Sequence, residues 1–407
     1  MTSSVTRSSG ASADERCVPQ LDGGSVRVAY LHVLPLEYYP PATSTLTVFS
    51  RQPGWTVSAW TSGNRRGLSE WQHRDVEVRR PGFPRPDASL PGRTAGYAAW
   101  HVRVAAEIAA FKPDVLISVE PHSALAAWLY YKACRGAARL FIHHHEYYAP
   151  EDFAREGMRV LRRTLPLERR DLFPRAEWVS QTNDERLRLL REWSPGIRDG
   201  AARVLPNYPT RQWVTRAAAI PRTPAAGVMR LIYIGSASFE DTFIREAAEW
   251  VAHNPGTASL HVAGNNIQPD VWRWLAELGA PNVTSDSSGF EYDELPELLR
   301  QFDVGLVLYK GNTANFVHNV PNKAIEYLAC GLNVWYPIQM IGMSDFGTQF
   351  PAMPEKAFDF GSLPLLAGER LVAPAGLGDA FPFTAEAALA PMIGEIAMPG
   401  SGERRGA

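Results

Sequence analysis

Short apolar runs alternate with stretches whose apolar residues recur at helical spacing along most of this chain. Val26–Leu34 is apolar almost throughout and predicts a buried strand, and 56–61 predicts a second. Leu46 to Phe49 reads as a short helix or turn. Alanines and aliphatics predict a helix over 94–111. A strand over 114–119, a helix over 123–133 and a strand over 139–143 follow. Next come a basic helix over 155–172, a strand over 178–181, a helix over 184–193 and the short run Arg203-Val204-Leu205. Strands alternating with helices predict a parallel sheet covered on both faces.

The alternation breaks at 206–229, which holds four prolines and few periodic apolar positions. This stretch reads as an interdomain linker. A second alternating unit follows, with strands at 231–234, 259–262, 282–284, 304–308 and 333–336. Helices at 241–253, 269–278 and 292–302 lie between them. The expected organisation is a tail over 1–25, a Rossmann-like domain over 26–205, the linker 206–229 and a second Rossmann-like domain over 230–383. A last helix over 384–398 and a tail over 399–407 complete it. Ligands of doubly wound α/β domains bind at the C-terminal ends of the strands.

Composition narrows the class. At 407 residues two domains of ordinary size are expected. Hydrophobic residues at 45% and charged residues at 21% suit a soluble globular chain with a real core. A net charge of -2 gives no reason to expect nucleic acid as partner. Cys17, Cys134 and Cys330 have neither disulfide nor metal-site spacing, which suits a reducing cytoplasm. No run approaches the ~20 apolar residues of a membrane span. The N-terminal stretch lacks the apolar core of a secretory signal.

The densest chemistry lies in Val320-Pro321-Asn322-Lys323-Ala324-Ile325-Glu326-Tyr327-Leu328-Ala329-Cys330-Gly331-Leu332-Asn333-Val334-Trp335. Pro321 fits a first helical turn and Gly331 a helix stop. Ala324, Ile325 and Leu328 form an apolar stripe. Lys323, Glu326 and Tyr327 share a polar face. Lys323 beside a helix N-terminus suits phosphate, and Glu326 one turn on suits a sugar diol. An ordinary surface helix with a Lys/Glu pair has the same spacing. The run resembles the P-N-K-x-x-E-Y-x-A-x-G-x-x-V signature of GT-B glycosyltransferases of the family 4 type. That resemblance implies transfer of a sugar from a nucleotide-diphosphate sugar to a hydroxyl acceptor, in polysaccharide or glycoconjugate synthesis, with retention of configuration. It also implies that the two domains face each other across a cleft, with the helix over 384–398 crossing back to the first domain, and it places Asn322, Lys323 and Glu326 at the donor, with Glu326 on the ribose.

Other positions are read against this resemblance. Gly235-Ser236 ends the first strand of the second domain, where a small-residue turn lets N–H groups approach a diphosphate. The family's Arg and Lys just after that glycine are replaced by Phe239, Glu240 and Asp241. Lys310 and Lys323 are the candidate cations instead. Gly264 is a second strand-end glycine, suited to donor contact or to a plain turn. His318 stands where the family often has a Glu and is a candidate for the catalytic site, suited to bonding a sugar or phosphate. Asn315 and Asn319 in the same loop suit neutral hydrogen bonds, Asn319 to the donor. All three also suit a plain loop closed by an Asx turn. His145-Glu146 resembles the family's strand-end His-Glu pair, suited to acid/base work or to binding a sugar. In His143-His144-His145 only alternate side chains share a face, which leaves a metal ion without a third ligand. No cofactor and no D-x-D metal pair is expected. Arg155, Arg159, Arg162, Arg163, Arg169 and Arg170 suit either a solvated face paired to Glu168 and Asp171 or a peripheral contact with anionic lipid near a lipid-linked acceptor. The same fold also suits an epimerase or hydrolase of nucleotide sugars, or a catalytically silent binding subunit.

Overall fold

The computed structural model describes residues 25–63, 68–84, 89–154, 158–222, 227–360 and 380–398. The readings made for the tails, for Cys17 and for Arg155 lie outside these residues.

Thirteen strands are described. In the first half they are β1 (Val26–His32), β2 (Trp55–Trp60), β3 (Val76–Arg79), β4 (Val115–Val119), β5 (Arg139–His143), β6 (Trp178–Gln181) and β7 (Ala202–Val204). They form one sheet in the order β3-β2-β1-β4-β5-β6-β7, parallel throughout. The second half holds β8 (Met229–Ile234), β9 (Ala258–Ala263), β10 (Val283–Asp286), β11 (Val304–Leu306), β12 (Asn333–Pro337) and β13 (Glu355–Phe358), in the order β10-β9-β8-β11-β12-β13. These too are parallel. Each sheet reverses its strand order once, at β1/β4 and at β8/β11. Ligands of doubly wound sheets bind at the C-terminal ends of such strands.

Apolar clusters cover both faces of each sheet. This explains the near-continuous apolar strands: a strand buried on both sides has no solvent face to make polar. The helix Ala385–Ala397 lies on the first sheet, with Ala385, Leu389, Met392 and Ile396 buried beside Ala42 and Leu46. Arg139 at the start of β5 holds that helix by donating to the carbonyls of Glu395 (2.9 Å), Ile396 (3.0 Å) and Met398 (3.0 Å).

The stretch 206–229 is not irregular as read from its prolines. It contains the helix Arg211–Ala219, capped by Thr210 and burying Trp213, Val214 and Ala217 in the second domain's core. Prolines at both ends hid a helix of only nine residues. Leu46–Phe49 belongs to a longer helix, Pro40–Ser50. The strand β3, the helix Ile341–Gln349 and the strand β13 had no matching expectation. No described helix is long and apolar enough to cross a membrane.

Candidate active site

The helix Asn322–Ala329 begins after Pro321, which is its N-cap and has no side-chain cap. It ends in a Schellman arrangement. Gly331 N–H donates to Leu328 O (2.9 Å), Leu332 N–H donates to Tyr327 O (2.9 Å), and Gly331 has φ +73°. Tyr327 leaves the polar face expected of it. Its hydroxyl accepts from Ile234 N–H at 3.0 Å, and its ring lies so close to Gly305 that a Cβ there would fall 2.2 Å from it. Tyr327 is therefore a core residue that fixes the helix to β8 and β11.

Lys323 is buried, and its Nζ has no hydrogen-bond partner among the described residues. The ammonium lies over the rings of Tyr233 (4.4 Å) and Tyr309 (4.9 Å). Burial pushes its pKa down to about 7, against the pull of Glu326. The Nζ also touches the turn after β8: a Cβ on Gly235, whose φ is +113°, would fall 2.8 Å from it. Gly264 packs against the same turn, and a Cβ there would meet Gly235 O at 2.2 Å. Asn266 donates to Ser236 Oγ at 3.0 Å. Gly235, Ser236, Gly264 and Lys323 thus form one cradle at the C-terminal ends of β8 and β9, beside the uncapped N-terminus of the helix. Gly264→Ala should displace the Gly235 carbonyl, weaken nucleoside diphosphate binding at least about tenfold and lower the melting temperature. Unchanged affinity in calorimetry would take the cradle out of the site.

Glu326 is buried one turn further on. Burial raises its pKa to about 7, while the Tyr292 hydroxyl and the Lys323 charge work the other way. The carboxylate does not stand open to the cleft, because Tyr292 already bonds it. Tyr292 in turn lines a cavity of about 540 Å³ between the lobes, with Glu37, Trp71, Trp213 and Asp293 among its walls. That volume suits a nucleoside-sized ligand. Asn319 and Asn322 are half-buried in the loop and first turn beside these groups.

Lys310 does not join the cradle. Its Nζ donates to Phe239 O (2.8 Å) and pairs with Glu246 (3.5 Å), which ties the loop after β11 to the loop after β8. Phe239, where the resemblance expects a cation, is covered by the Arg245 guanidinium at 4.2 Å. Of the two candidate lysines, Lys323 is the one that lies beside the turn.

On the first lobe, His145 and Glu146 follow β5. His145 is buried, and burial pushes its pKa down to about 4. Its Nδ1 meets Asn207 Oδ1 at 2.8 Å and His143 Nε2 at 3.1 Å. His144 points the other way and bonds Glu168 at 2.9 Å, a buried partner whose charge carries its pKa up against burial. Glu168 therefore serves a histidine and not the neighbouring arginines. Asp171 serves Trp128 and Lys132. Arg162, Arg163 and Arg170 are exposed.

The lobes meet at Glu146 and His318. Asn315 donates to Glu146 Oε2 (2.7 Å), accepts from Tyr147 N–H (2.8 Å) and accepts from the buried Arg186 (2.5 Å). Asn183 donates to the carbonyl of His318 at 2.7 Å. His318 is half-buried in this seam, and burial lowers its pKa.

Sequence reasoning missed Glu120, His32, Arg186 and Tyr292. Glu120 is buried at φ +64°, a region that favours glycine, and burial raises its pKa to about 7. Its Oε1 accepts the backbone N–H groups of His145 (2.6 Å) and Glu146 (3.0 Å), so it holds the His-Glu turn in place. A polar residue directly after a buried strand was the available signal for Glu120, and a polar residue inside an apolar strand was the signal for His32. Nothing local marks Arg186 or Tyr292.

Two doubly wound domains of seven and six parallel strands, with a C-terminal helix returning to the first, define the GT-B fold. Among solved structures the chain is similar to HepE of Anabaena in complex with UDP and glucose, at 14% identity and TM-score 0.65 over 91% of this chain and 98% of that one. It is also similar to the lipopolysaccharide outer core galactosyltransferase WaaB, at 12% identity and TM-score 0.57 over 91% and 99%. A third similar structure is the UDP-GlcNAc 2-epimerase of Neisseria meningitidis bound to UDP-GlcNAc, at 13% and 0.55 over 91% and 99%. No protein-family model matches the chain, and no curated protein matches it in sequence.

Proposed function

We propose that the chain is a glycosyltransferase that moves a sugar from a nucleoside-diphosphate sugar to a hydroxyl acceptor. The observation that carries this reading is the buried Lys323 ammonium, unpartnered and in contact with the Gly235 turn at an uncapped helix N-terminus. A diphosphate leaving group placed there meets a positive charge and free N–H groups, and is stabilised as the glycosidic bond breaks. Glu326 takes the ribose diol in exchange for Tyr292. The first lobe presents the acceptor, with Glu146 and His145 at its rim. Several similar structures bind UDP or a UDP-sugar, which supports this ligand class. No step in this account uses a metal ion, and among the described residues no cluster of His, Cys, Asp or Glu could hold one. The exposed Arg162, Arg163 and Arg170 are compatible with an acceptor carried on an anionic membrane surface, which flotation with anionic vesicles tests.

A second reading, epimerisation of the nucleotide sugar, is favoured by the buried titratable groups Glu120 and His145 together in the first lobe, and by epimerases on the same fold. Turnover with a panel of nucleotide sugars separates the two. Transfer requires an added acceptor, epimerisation proceeds without one, and a silent subunit gives neither. His145→Ala should lower transfer at least about a hundredfold while leaving nucleoside diphosphate affinity within about twofold, because the two groups belong to opposite lobes. Parallel loss of both would remove His145 from the acceptor side.

A further inference from the structure

The short helical turn Leu36–Tyr38 after β1 brings Glu37 into the wall of the cavity of about 540 Å³ between the lobes. The Glu37 side chain is only 2% exposed. Its Oε1 accepts from Arg80 (2.5 Å) and from Trp71 N–H (2.6 Å). Arg80 also donates to Trp71 O at 3.0 Å, so both backbone groups of Trp71 are tied to this ion pair. The other oxygen, Oε2, is buried and has no hydrogen-bond partner among the described residues. A buried carboxylate oxygen left without a donor is costly and uncommon in native structures.

Charge around the cavity is one-sided. Glu70, Glu291 and Asp293 line it together with Glu37. Its two guanidinium groups are engaged elsewhere: Arg51 pairs with Glu386 (3.6 Å) and Arg216 with Glu297 (2.7 Å), and neither carboxylate lines the cavity. Arg80 serves Glu37 and stands 3.7 Å from Glu70. Burial lowers the pKa of His73, which adds no cation. Glu291 accepts Ser69 N–H at 2.8 Å and so joins the two walls. Aromatic surface is present on both: Trp71 stacks on His73 (5.9 Å) and Tyr292 on Trp213 (5.6 Å). Carboxylates in excess beside aromatic rings suit a ring-shaped ligand that bears a positive charge.

We propose that this cavity holds the acceptor by a protonated amine, so that the acceptor is an amine-bearing sugar, with Glu37 Oε2 taking an N–H of its ammonium group. That the ligand is the acceptor rests on the transferase reading. A phosphate or carboxylate group would meet like charge here. A nucleoside fits the volume but brings no charge to answer the carboxylates.

Calorimetric titration of the full chain at about pH 6 tests this. The probes are the methyl glycosides of glucosamine and galactosamine, their N-acetylated counterparts, methyl glucoside, uridine and guanosine. At least one amine should bind about tenfold or more tightly than its N-acetylated form, and added salt should narrow that gap. Glu37→Gln keeps the shape and an oxygen for Arg80, and should reduce the gap to about twofold or less. Should that variant fail to fold, Asp293→Asn, at an exposed position, should weaken amine binding about two- to fivefold and leave the N-acetylated form unchanged. Equal binding of amine and N-acetylated forms, a gap unchanged in every variant that folds, or uridine or guanosine binding weakened by Glu37→Gln overturns the proposal. So does a preference seen only for UDP-glucosamine over UDP-glucose, which would put the amine on the donor. UDP binding without any amine preference overturns this proposal alone. Amine preference without binding of any nucleoside diphosphate would overturn the transferase reading and leave the amine site standing.

Discussion

Lys323→Met should make the free protein more stable and weaken its hold on a nucleoside diphosphate. The side chains are similar in length, so the core beside Tyr233 and Tyr309 keeps its packing. The buried ammonium without a hydrogen-bond acceptor disappears. A buried polar group left unsatisfied costs roughly 1–3 kcal/mol, which corresponds to several degrees in melting temperature for a domain of this size. The gain has a definite pH dependence. The folded pKa of Lys323 is depressed to about 7. The lysine's contribution is therefore most favourable above its unfolded pKa and is lost as pH falls towards 7. The melting temperature of the methionine variant should exceed that of the native chain most at pH 6 and least at pH 9 or above. Affinity should move the opposite way. A charge-assisted bond to phosphate contributes roughly 1.5–3 kcal/mol, so the variant should bind about ten- to a hundredfold more weakly. A methionine variant that is less stable at every pH and binds normally would make Lys323 an ordinary structural lysine. The combination expected here, stability gained and binding lost, is the mark of a group held in an unfavourable place for a ligand.

The parts of this molecule that were legible from sequence are those set by local periodicity. β5, β6 and the helices Asp184–Trp193 and Pro269–Leu278 fall where the apolar spacing puts them, because a strand or helix buried in a doubly wound sheet writes its period into consecutive residues. The Asn322–Ala329 helix and its glycine stop were legible for the same reason. What escaped was decided by tertiary contact. Arg211–Ala219 has only Trp213, Val214 and Ala217 to report its burial, and its prolines point the other way. Lys310 and Lys323 look alike in sequence, yet one is consumed by Phe239 O and Glu246 and the other stays unpartnered. Tyr327 and Glu326 are neighbours on one short helix, but one turns to Gly305 and Ile234 and the other to Tyr292. Asn315, read only as a neutral loop residue, joins Glu146 and Arg186 across 169 and 129 positions of chain. No local pattern carries such pairings.

The most direct test of the account is a calorimetric titration of nucleoside diphosphates into the native chain and into Glu326→Gln. The variant keeps the shape and an oxygen that still accepts from Tyr292, so the free protein should melt within about 2 °C of the native chain. The raised pKa of Glu326 shows that burial penalises its ionised form, so removing that charge does not cost stability. The ribose diol, however, offers two donors, and an ionised carboxylate accepts both, whereas an amide accepts one and opposes the other. That loss amounts to roughly 1.5–3 kcal/mol, and the account predicts a dissociation constant raised about tenfold or more, with no change for the free base. An unchanged dissociation constant for every diphosphate that the native chain binds would contradict it, because Glu326 would then lie outside the nucleotide site.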